Sequence, residues 1–190
     1  MVMEDNSNLI PPHGGYRNLK SYQMAEIVYD GTVKFCDRFV DKRSRTTDQM
    51  VQAARSGRQN IAEGSMASGT SKKTELKLVG VARASLEELL IDYQDFLRQR
   101  NLALWNKDDP RVLKIRKIGS QEDRSYLTYK TYLEEQSSEI AANTLLCIIN
   151  QTNYLLDQLL RKLEQDFKEN GGFTERLYNY RKNNRDNFNN

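Results

Sequence analysis

Histidine is nearly absent from this chain of 190 residues, which contains only His13. Di-iron sites in helical proteins need a Glu-x-x-His pair on each of two helices, so a single histidine excludes them. Serine and cysteine nucleophiles that rely on a histidine base are excluded for the same reason. The sequence also has no glycine-rich phosphate loop and no dinucleotide-binding glycine pattern. We therefore expect no enzymatic activity, no metal and no cofactor.

Glycine, proline and cysteine are also scarce. Ten glycines and three prolines are too few for a loop-rich fold, and the charged residues, 29% of the chain, accompany many leucines and alanines that favour helices. The composition predicts an all-α protein. The two cysteines, Cys36 and Cys147, fall on apolar faces of predicted helices. We interpret them as buried small hydrophobes in a reducing cytoplasm rather than as a disulfide.

Long apolar runs are missing as well. No window approaches the roughly 18 to 20 apolar residues that a membrane-crossing helix needs. Residues 1–16 lack the basic and apolar regions of a signal peptide, and they are predicted to form a flexible arm. Residues 171–190 are rich in Asn and Arg and are predicted to be a polar C-terminal tail, either a short helix followed by disorder or a segment that becomes ordered on a partner. We expect a soluble, cytoplasmic protein with no membrane partner.

What the sequence does contain is helical periodicity. One helix is predicted at about residues 18–42, two more lie within residues 47–96 around a link at 66–71, and a last one spans about 137–169. Short links force consecutive helices to be antiparallel neighbours. The prediction is an antiparallel up-down four-helix bundle over residues 17–170.

Between the third and last bundle helices lies an inserted short-helix segment, at about residues 101–136. The pair Asp109 and Pro110 is typical of a helix start, because proline is well tolerated at the first helical position. A further short helix is predicted at about residues 121–135. Trp105 is expected to pack as an anchor over the end of the bundle.

The second predicted helix has a face made almost wholly of small residues. It carries Met50, Ala53, Ala54, Gly57, Ile61 and Gly64. Each glycine costs about 1 kcal/mol of helix propensity relative to alanine, a cost normally tolerated only for close packing. We therefore expect Gly57→Leu to unfold or split the bundle. Asn60 and Glu63 are expected to form a hydrogen-bonded pair that holds this helix to the next one.

Basic residues concentrate in residues 42–83, which hold nine cations against three carboxylates, whereas residues 84–95 hold four carboxylates and no cation. Two basic zones at opposite bundle ends, joined by Arg55 and Arg58 along the exposed side, are predicted to bind nucleic acid without base readout. The candidate contacts are Arg43, Arg45, Arg55, Arg58, Lys72, Lys73 and Lys77. The alternative for each of them is a solvated surface with ion pairs along the helix.

A family resemblance rests on two motifs in this region. R-x-x-R-Q-N-I-A-E-G runs from Arg55 to Gly64, and L-x-x-V-A-R-A-S-L-E-E-L runs from Leu78 to Leu89. The chain resembles the bacterial four-helix-bundle proteins encoded in 23S rRNA intervening sequences, and their relative, the accessory variability determinant protein of diversity-generating retroelements. The resemblance implies a non-enzymatic bundle, a pentameric ring, and a role beside RNA, DNA, a reverse transcriptase or another nucleic-acid enzyme.

Two functions from different classes remain open at this point. In one, a homo-oligomer holds RNA or DNA on its basic surface; in the other, the bundle is a protein-interaction scaffold whose charges keep it soluble. The oligomer is expected from apolar residues beyond the main faces of the helices. They are Leu78, Val81, Ile91 and Leu155.

Overall fold

The computed structural model describes residues 10–188, so the first nine residues of the predicted arm and the last two of the predicted tail lie outside the described residues. The side chains at 183, 184 and 186–188 are likewise not described. The described part is all-α, as predicted. Its helices are α1 (Lys20–Phe39), α2 (Arg45–Ala67), α3 (Lys72–Gln99), α4 (Pro110–Gly119), α5 (Tyr126–Lys130), α6 (Ser138–Asn170) and α7 (Phe173–Phe188), with a 3₁₀ turn at Tyr16–Asn18 and a π-helical turn at Thr131–Glu135. None of these helices is long and apolar enough to cross a membrane.

Side-chain caps define where most of the helices begin. The hydroxyl of Ser44 accepts a hydrogen bond from a backbone N–H in the first turn of α2, and Ser71 and Ser137 do the same for α3 and α6. Asp109 caps α4 with Pro110 in its first turn, which confirms the predicted helix start. Each such cap satisfies a donor that the helix itself leaves unpaired.

Each of the four long helices, α1, α2, α3 and α6, packs against two of the others: α2 and α6 each contact both α1 and α3. Neighbouring helices run antiparallel. A Cβ at Gly57 would meet Leu86, whereas one at Gly64, seven residues later in α2, would meet Val79, seven residues earlier in α3. The connections of five and four residues between α1, α2 and α3 permit no other direction.

The interior between these helices is apolar and aromatic. The small-residue face of α2 is buried as predicted, and so are Cys36 and Cys147, which are free thiols. Phe35 of α1 makes edge-to-face contacts with Tyr93 and Phe96 of α3, at ring-centroid distances of 4.9 and 4.8 Å. The buried Tyr93 hydroxyl donates to Thr32 Oγ1 at 3.0 Å, so its polar atom is satisfied inside the core.

A non-helical segment, residues 101–109, leads from α3 to α4 and lies against the start of α6. Asn143 holds it: its Oδ1 accepts from the backbone N–H of Trp105 at 2.9 Å, and its Nδ2 donates to the carbonyl of Ala103 at 2.8 Å. Trp105 is buried, and its indole N–H donates to Glu139 at 3.3 Å. The side chain of Trp105 is therefore buried against the first turns of α6, in the packing role predicted for it.

The second short helix of the insert differs from the prediction. Residues 121–125 are not helical, and the helical part consists of α5 followed by the π-helical turn. Arg38 of α1 reaches across to this turn and donates to the carbonyls of Leu133 at 2.5 Å and Gln136 at 3.1 Å. A guanidinium thus satisfies carbonyl groups where regular helix hydrogen bonding ends.

The residues expected at an oligomer interface divide into two groups. Val81 and Ile91 of α3 are exposed, at 39% and 51% of their surface. Leu155 packs partly against the core, and Leu78 is half-buried near Gly64. Only the first pair offers apolar surface that a neighbouring subunit can cover.

Candidate nucleic-acid interface

The connection between α1 and α2 carries Arg43 and Arg45, both exposed. Arg45 shares a groove between α2 and α3 with two carboxylates, Asp48 and Glu88. Further along α3, burial and then the negative charges of Glu88 and Asp95 raise the pKa of Asp92. Carboxylates accumulate beside this end of the molecule, and they offset the predicted basic zone there.

Arg55 and Arg58 do not form the shared row that was expected along the outside of α2. Arg55 is exposed, whereas Arg58 is half-buried. The guanidinium of Arg58 lies over the ring of Tyr29 in α1, 4.3 Å from the ring centroid, and also donates to Gln59 at 3.4 Å. Packing on an aromatic face holds this cation between two helices.

Lys72, at the start of α3, is held by carboxylates. Its Nζ lies 3.3 Å from Glu75 and 3.1 Å from Asp166 of α6. Burial alone lowers the pKa of Lys72, but the hydrogen bond to Asp166 and the charge of Glu75 outweigh it and raise the pKa above its ordinary value. Burial raises the pKa of Glu75, which is only 9% exposed. Lys72 is therefore a structural cation that ties α3 to α6.

Lys73 and Lys77 differ from Lys72 in having no such partner. Both are exposed, and neither makes an ion pair with another described side chain. They lie within the first two turns of α3, beside the connection from α2. These two lysines form the part of the predicted set that is free to contact phosphate at this end.

The predicted pair of Asn60 and Glu63 is wrong. Asn60 Nδ2 donates within α2, to the carbonyl of Ser56 at 2.9 Å and to its hydroxyl at 3.1 Å, and Glu63 is exposed. The Ser56 hydroxyl lies 2.9 Å from that of Ser85 in α3. The polar link between the two helices therefore runs through two serines, with Asn60 supporting one of them.

A cationic stripe runs along α7, within the predicted polar tail, and its residues lie outside the contacts predicted from the sequence. Tyr178, Arg181, Lys182 and Arg185 follow the spacing i, i+3, i+4 and i+7, so they share one helix face, and all four are exposed. None of the three cations makes an ion pair with another described side chain. The sequence shows this spacing, but polar residues form it, whereas a helix is usually recognised by the spacing of its apolar residues.

The start of α7 is anchored at the connection between α2 and α3. Arg176 Nη2 donates to the carbonyl of Gly69 at 3.2 Å. The ion pair between Lys72 and Asp166 places the end of α6, from which α7 follows, at the same corner. We use the name corner surface for the exposed set Lys73, Lys77, Tyr178, Arg181, Lys182 and Arg185.

The arm also reaches this corner. The backbone N–H of Gly14 donates to the carbonyl of Ser65 near the end of α2 at 3.1 Å, and a Cβ at Gly69 would meet the ring of His13. His13 itself is exposed, and its Nδ1 lies 3.1 Å from the carbonyl of Pro11. Within residues 10–188 no group of three His, Cys, Asp or Glu side chains is placed to hold a metal ion. At this corner the carboxylates Glu75 and Asp166 are paired with Lys72, while Lys73 and Lys77 make no ion pair with another described side chain.

Comparison with known proteins finds no matching family model, no matching curated protein and no matching solved structure. The resemblance carried by the motifs in α2 and α3 therefore stays a prediction from those residues.

Proposed function

We propose that this chain is a non-enzymatic, oligomeric, up-down four-helix bundle that binds nucleic acid through the corner surface. The observation that carries the proposal is that α7, which bears three exposed cations, begins at the same connection that two exposed lysines of α3 adjoin. The long helices α1, α2, α3 and α6 would be the four helices of the bundle, and their cyclic pattern of contacts supports this assignment.

The corner surface suits phosphate more than it suits base edges. Lysine and arginine side chains on exposed helices neutralise phosphates, and this neutralisation releases counterions from the nucleic acid. Nothing in the arrangement forms a fixed bidentate pair for one base, so we expect binding that depends weakly on sequence. Five cations per subunit predict a log–log salt slope of about 3 to 5 for one copy, and more if several copies contact the same strand.

Fluorescence anisotropy with a labelled RNA over a series of salt concentrations tests the proposal. One variant replaces Arg181, Lys182 and Arg185 by Gln. Its control replaces three exposed lysines of the insert, Lys107, Lys117 and Lys130, by Gln, so both variants lose the same net charge.

We expect the α7 variant to lower the salt slope by about 2 to 3 and the control to lower it by less than about 1. Equal losses in both variants would mean that only net charge matters and that no corner surface exists. Absence of binding at about 50 mM salt by the unaltered protein would refute the nucleic-acid function altogether.

Oligomer formation is proposed on the exposed pair Val81 and Ile91. These two residues share an outward stripe of α3 with Ala84, which is also exposed. Lys77 lies on the same stripe, so an assembly through this face would leave the α7 cations as the main phosphate contacts. The family resemblance favours a pentamer. Light scattering tests the assembly, because a concentration-independent mass near 22.1 kDa would refute it.

The scaffold alternative rests on the same exposed apolar pair. If Val81→Ser with Ile91→Ser abolishes the assembly and the unaltered assembly binds no RNA, the protein is an interaction scaffold. The resemblance implies a reverse transcriptase or another nucleic-acid enzyme as partner. Purification of this protein together with such an enzyme and RNA tests this. Two buried free thiols support the proposed cytoplasmic location.

A further inference from the structure

A cavity of about 480 Å³ opens between the first turns of α1, the end of α4 and the middle of α6. It lies apart from the corner surface and shares none of its residues. The lining is formed by Lys20, Met24, Arg116, Gly119, Ser120, Arg124, Asn150, Gln151, Tyr154 and Leu155. The volume falls in the range typical of small-molecule sites.

Three of the lining residues, Lys20, Arg116 and Arg124, are cations, and no lining residue is acidic. None of the three makes an ion pair with another described side chain; the hydrogen bonds of the two arginines go to neutral groups. Arg116 donates to the carbonyl of Lys107 at 3.1 Å. Arg124 donates to the carbonyl of Gln121 at 2.6 Å and to Gln23 Oε1 at 3.0 Å. The cavity thus concentrates positive charge that these neighbours leave uncompensated.

Apart from the cationic groove along α7, the other described grooves are different, because cations and carboxylates occur together in them. The neighbouring cavity on the other side of Arg124 contains Glu26, Asp30, Glu122 and Asp123, and the groove beside Arg45 contains Asp48 and Glu88. The first turn of α1 adds to the positive character, since it has no acidic residue and no side-chain cap on its free N–H groups.

The remaining walls offer apolar contact and an aromatic face. Met24 forms a buried part of the wall, Leu155 is half-buried, and the ring of Tyr154 lies at the rim, 62% exposed. An aromatic ring beside an apolar wall can accept a planar group of a ligand.

We propose that this cavity binds a nucleoside phosphate. The phosphate lies among Lys20, Arg116 and Arg124, which provide several charge-assisted donors. The base lies against Tyr154 and the apolar wall, since aromatic rings stack on any base. This site is separate from the corner surface and does not depend on the proposed nucleic-acid function.

Isothermal titration calorimetry at about 150 mM salt tests the site with AMP as the probe, compared with adenosine, ribose 5-phosphate and inorganic phosphate. One variant replaces Arg116 and Arg124 by Gln. Its charge-matched control replaces Arg161 and Lys162 by Gln, two exposed cations of α6 outside the cavity. A third variant, Tyr154→Ala, removes an exposed ring and leaves the cations in place. Thermal melting of each variant establishes that it is folded.

For the unaltered protein we expect a dissociation constant for AMP below about 1 mM. The double arginine variant should weaken AMP at least tenfold, and the control less than twofold. Tyr154→Ala should weaken AMP but leave ribose 5-phosphate unchanged.

Three results would overturn the proposal. The first is no saturable heat with AMP, and the second is equal weakening in the control. The third is inorganic phosphate or adenosine binding as tightly as AMP. The α7 variant, which lacks three cations of the corner surface, should bind AMP normally; loss of AMP binding in that variant would refute a separate site.

Discussion

At Gly57, α2 packs tightly against Leu86 of α3, and alanine at this position is a sharp test of the packing. A Cβ at Gly57 would lie 2.7 Å from both Cγ and Cδ2 of Leu86, whose side chain is fully buried. Cγ is not the free end of a flexible chain, so either the leucine rotamer or the helix must move. Gly64 differs, because its nearest neighbour would be the carbonyl of Glu75 at 3.4 Å, and Gly80 of α3 would meet nothing within 4 Å.

These distances give three different expected energies. In all three variants, Gly→Ala gains about 0.5–1 kcal/mol from helix propensity and from a less flexible unfolded chain. At Gly80 this gain stands alone, and at Gly64 ordinary contact leaves most of it. At Gly57 overpacking costs about 1–3 kcal/mol, so the net change is a loss of up to about 2 kcal/mol.

Chemical denaturation of the three variants, measured at one protein concentration, checks the series. From most to least stable, we expect Gly80→Ala, then Gly64→Ala, then Gly57→Ala. Gly80→Ala should be more stable than the unaltered protein, and Gly57→Ala less stable. Gly57→Leu should be far worse, because it adds three more carbons at the same contact. If Gly57→Ala stabilises the protein as much as Gly80→Ala, α2 and α3 are not in the described close contact.

Three further predictions concern single contacts. Lys72→Met should cost about 1–3 kcal/mol at pH 7 by leaving Glu75 buried without its cation. Burial raises the pKa of Glu75 in the folded state, and loss of the Lys72 charge would raise it further, so protonation of this carboxyl favours folding of the variant. Urea titrations should therefore show the loss shrinking as the pH is lowered from 7. Arg38→Lys should lower stability by about 1–2 kcal/mol, since an ammonium cannot hold two carbonyls of the insert at once, and unchanged melting would contradict this. Burial raises the pKa of Cys36 to about 12 and that of Cys147 to about 11, so Ellman's reagent at pH 8 should react only as fast as the protein unfolds; immediate reaction would show that the thiols are accessible.

The helices were predictable from the sequence because their signals are local. Apolar periodicity located the long helices and the buried face of α2, and the pair Asp109 and Pro110 located the start of α4. Glycine patterning predicted close packing, although of the two glycines on this face of α2 only Gly57 needs it. Phe167 of α6 is 37% exposed, because it lies near the end of that helix, beyond its last buried leucine, Leu163.

The candidate site was predictable only in part, because the partner of a charge is set by packing. Arg58 was expected to face outward, yet Tyr29 of another helix binds it. Lys72 was counted with Lys73, yet Asp166, distant in sequence, pairs with it. The cationic stripe of α7 could not be predicted for another reason. Helix prediction from sequence relies on apolar faces, and the stripe is formed by polar side chains. The cavity beside Tyr154 is formed by three separated segments, which no local pattern connects.

The amide of Asn143 has a consequence for how this chain tolerates changes in length. By accepting from Trp105 N–H and donating to the carbonyl of Ala103, one side chain pairs with the backbone as a neighbouring strand would. Because every residue supplies the same backbone N–H and carbonyl, adding or deleting one residue between Arg100 and Trp105 would either break both hydrogen bonds or put another residue in the buried position of Trp105. No described side chain of α6 makes comparable hydrogen bonds to the backbone of residues 120–125. We therefore expect changes in length to be tolerated there, after α4 rather than before it.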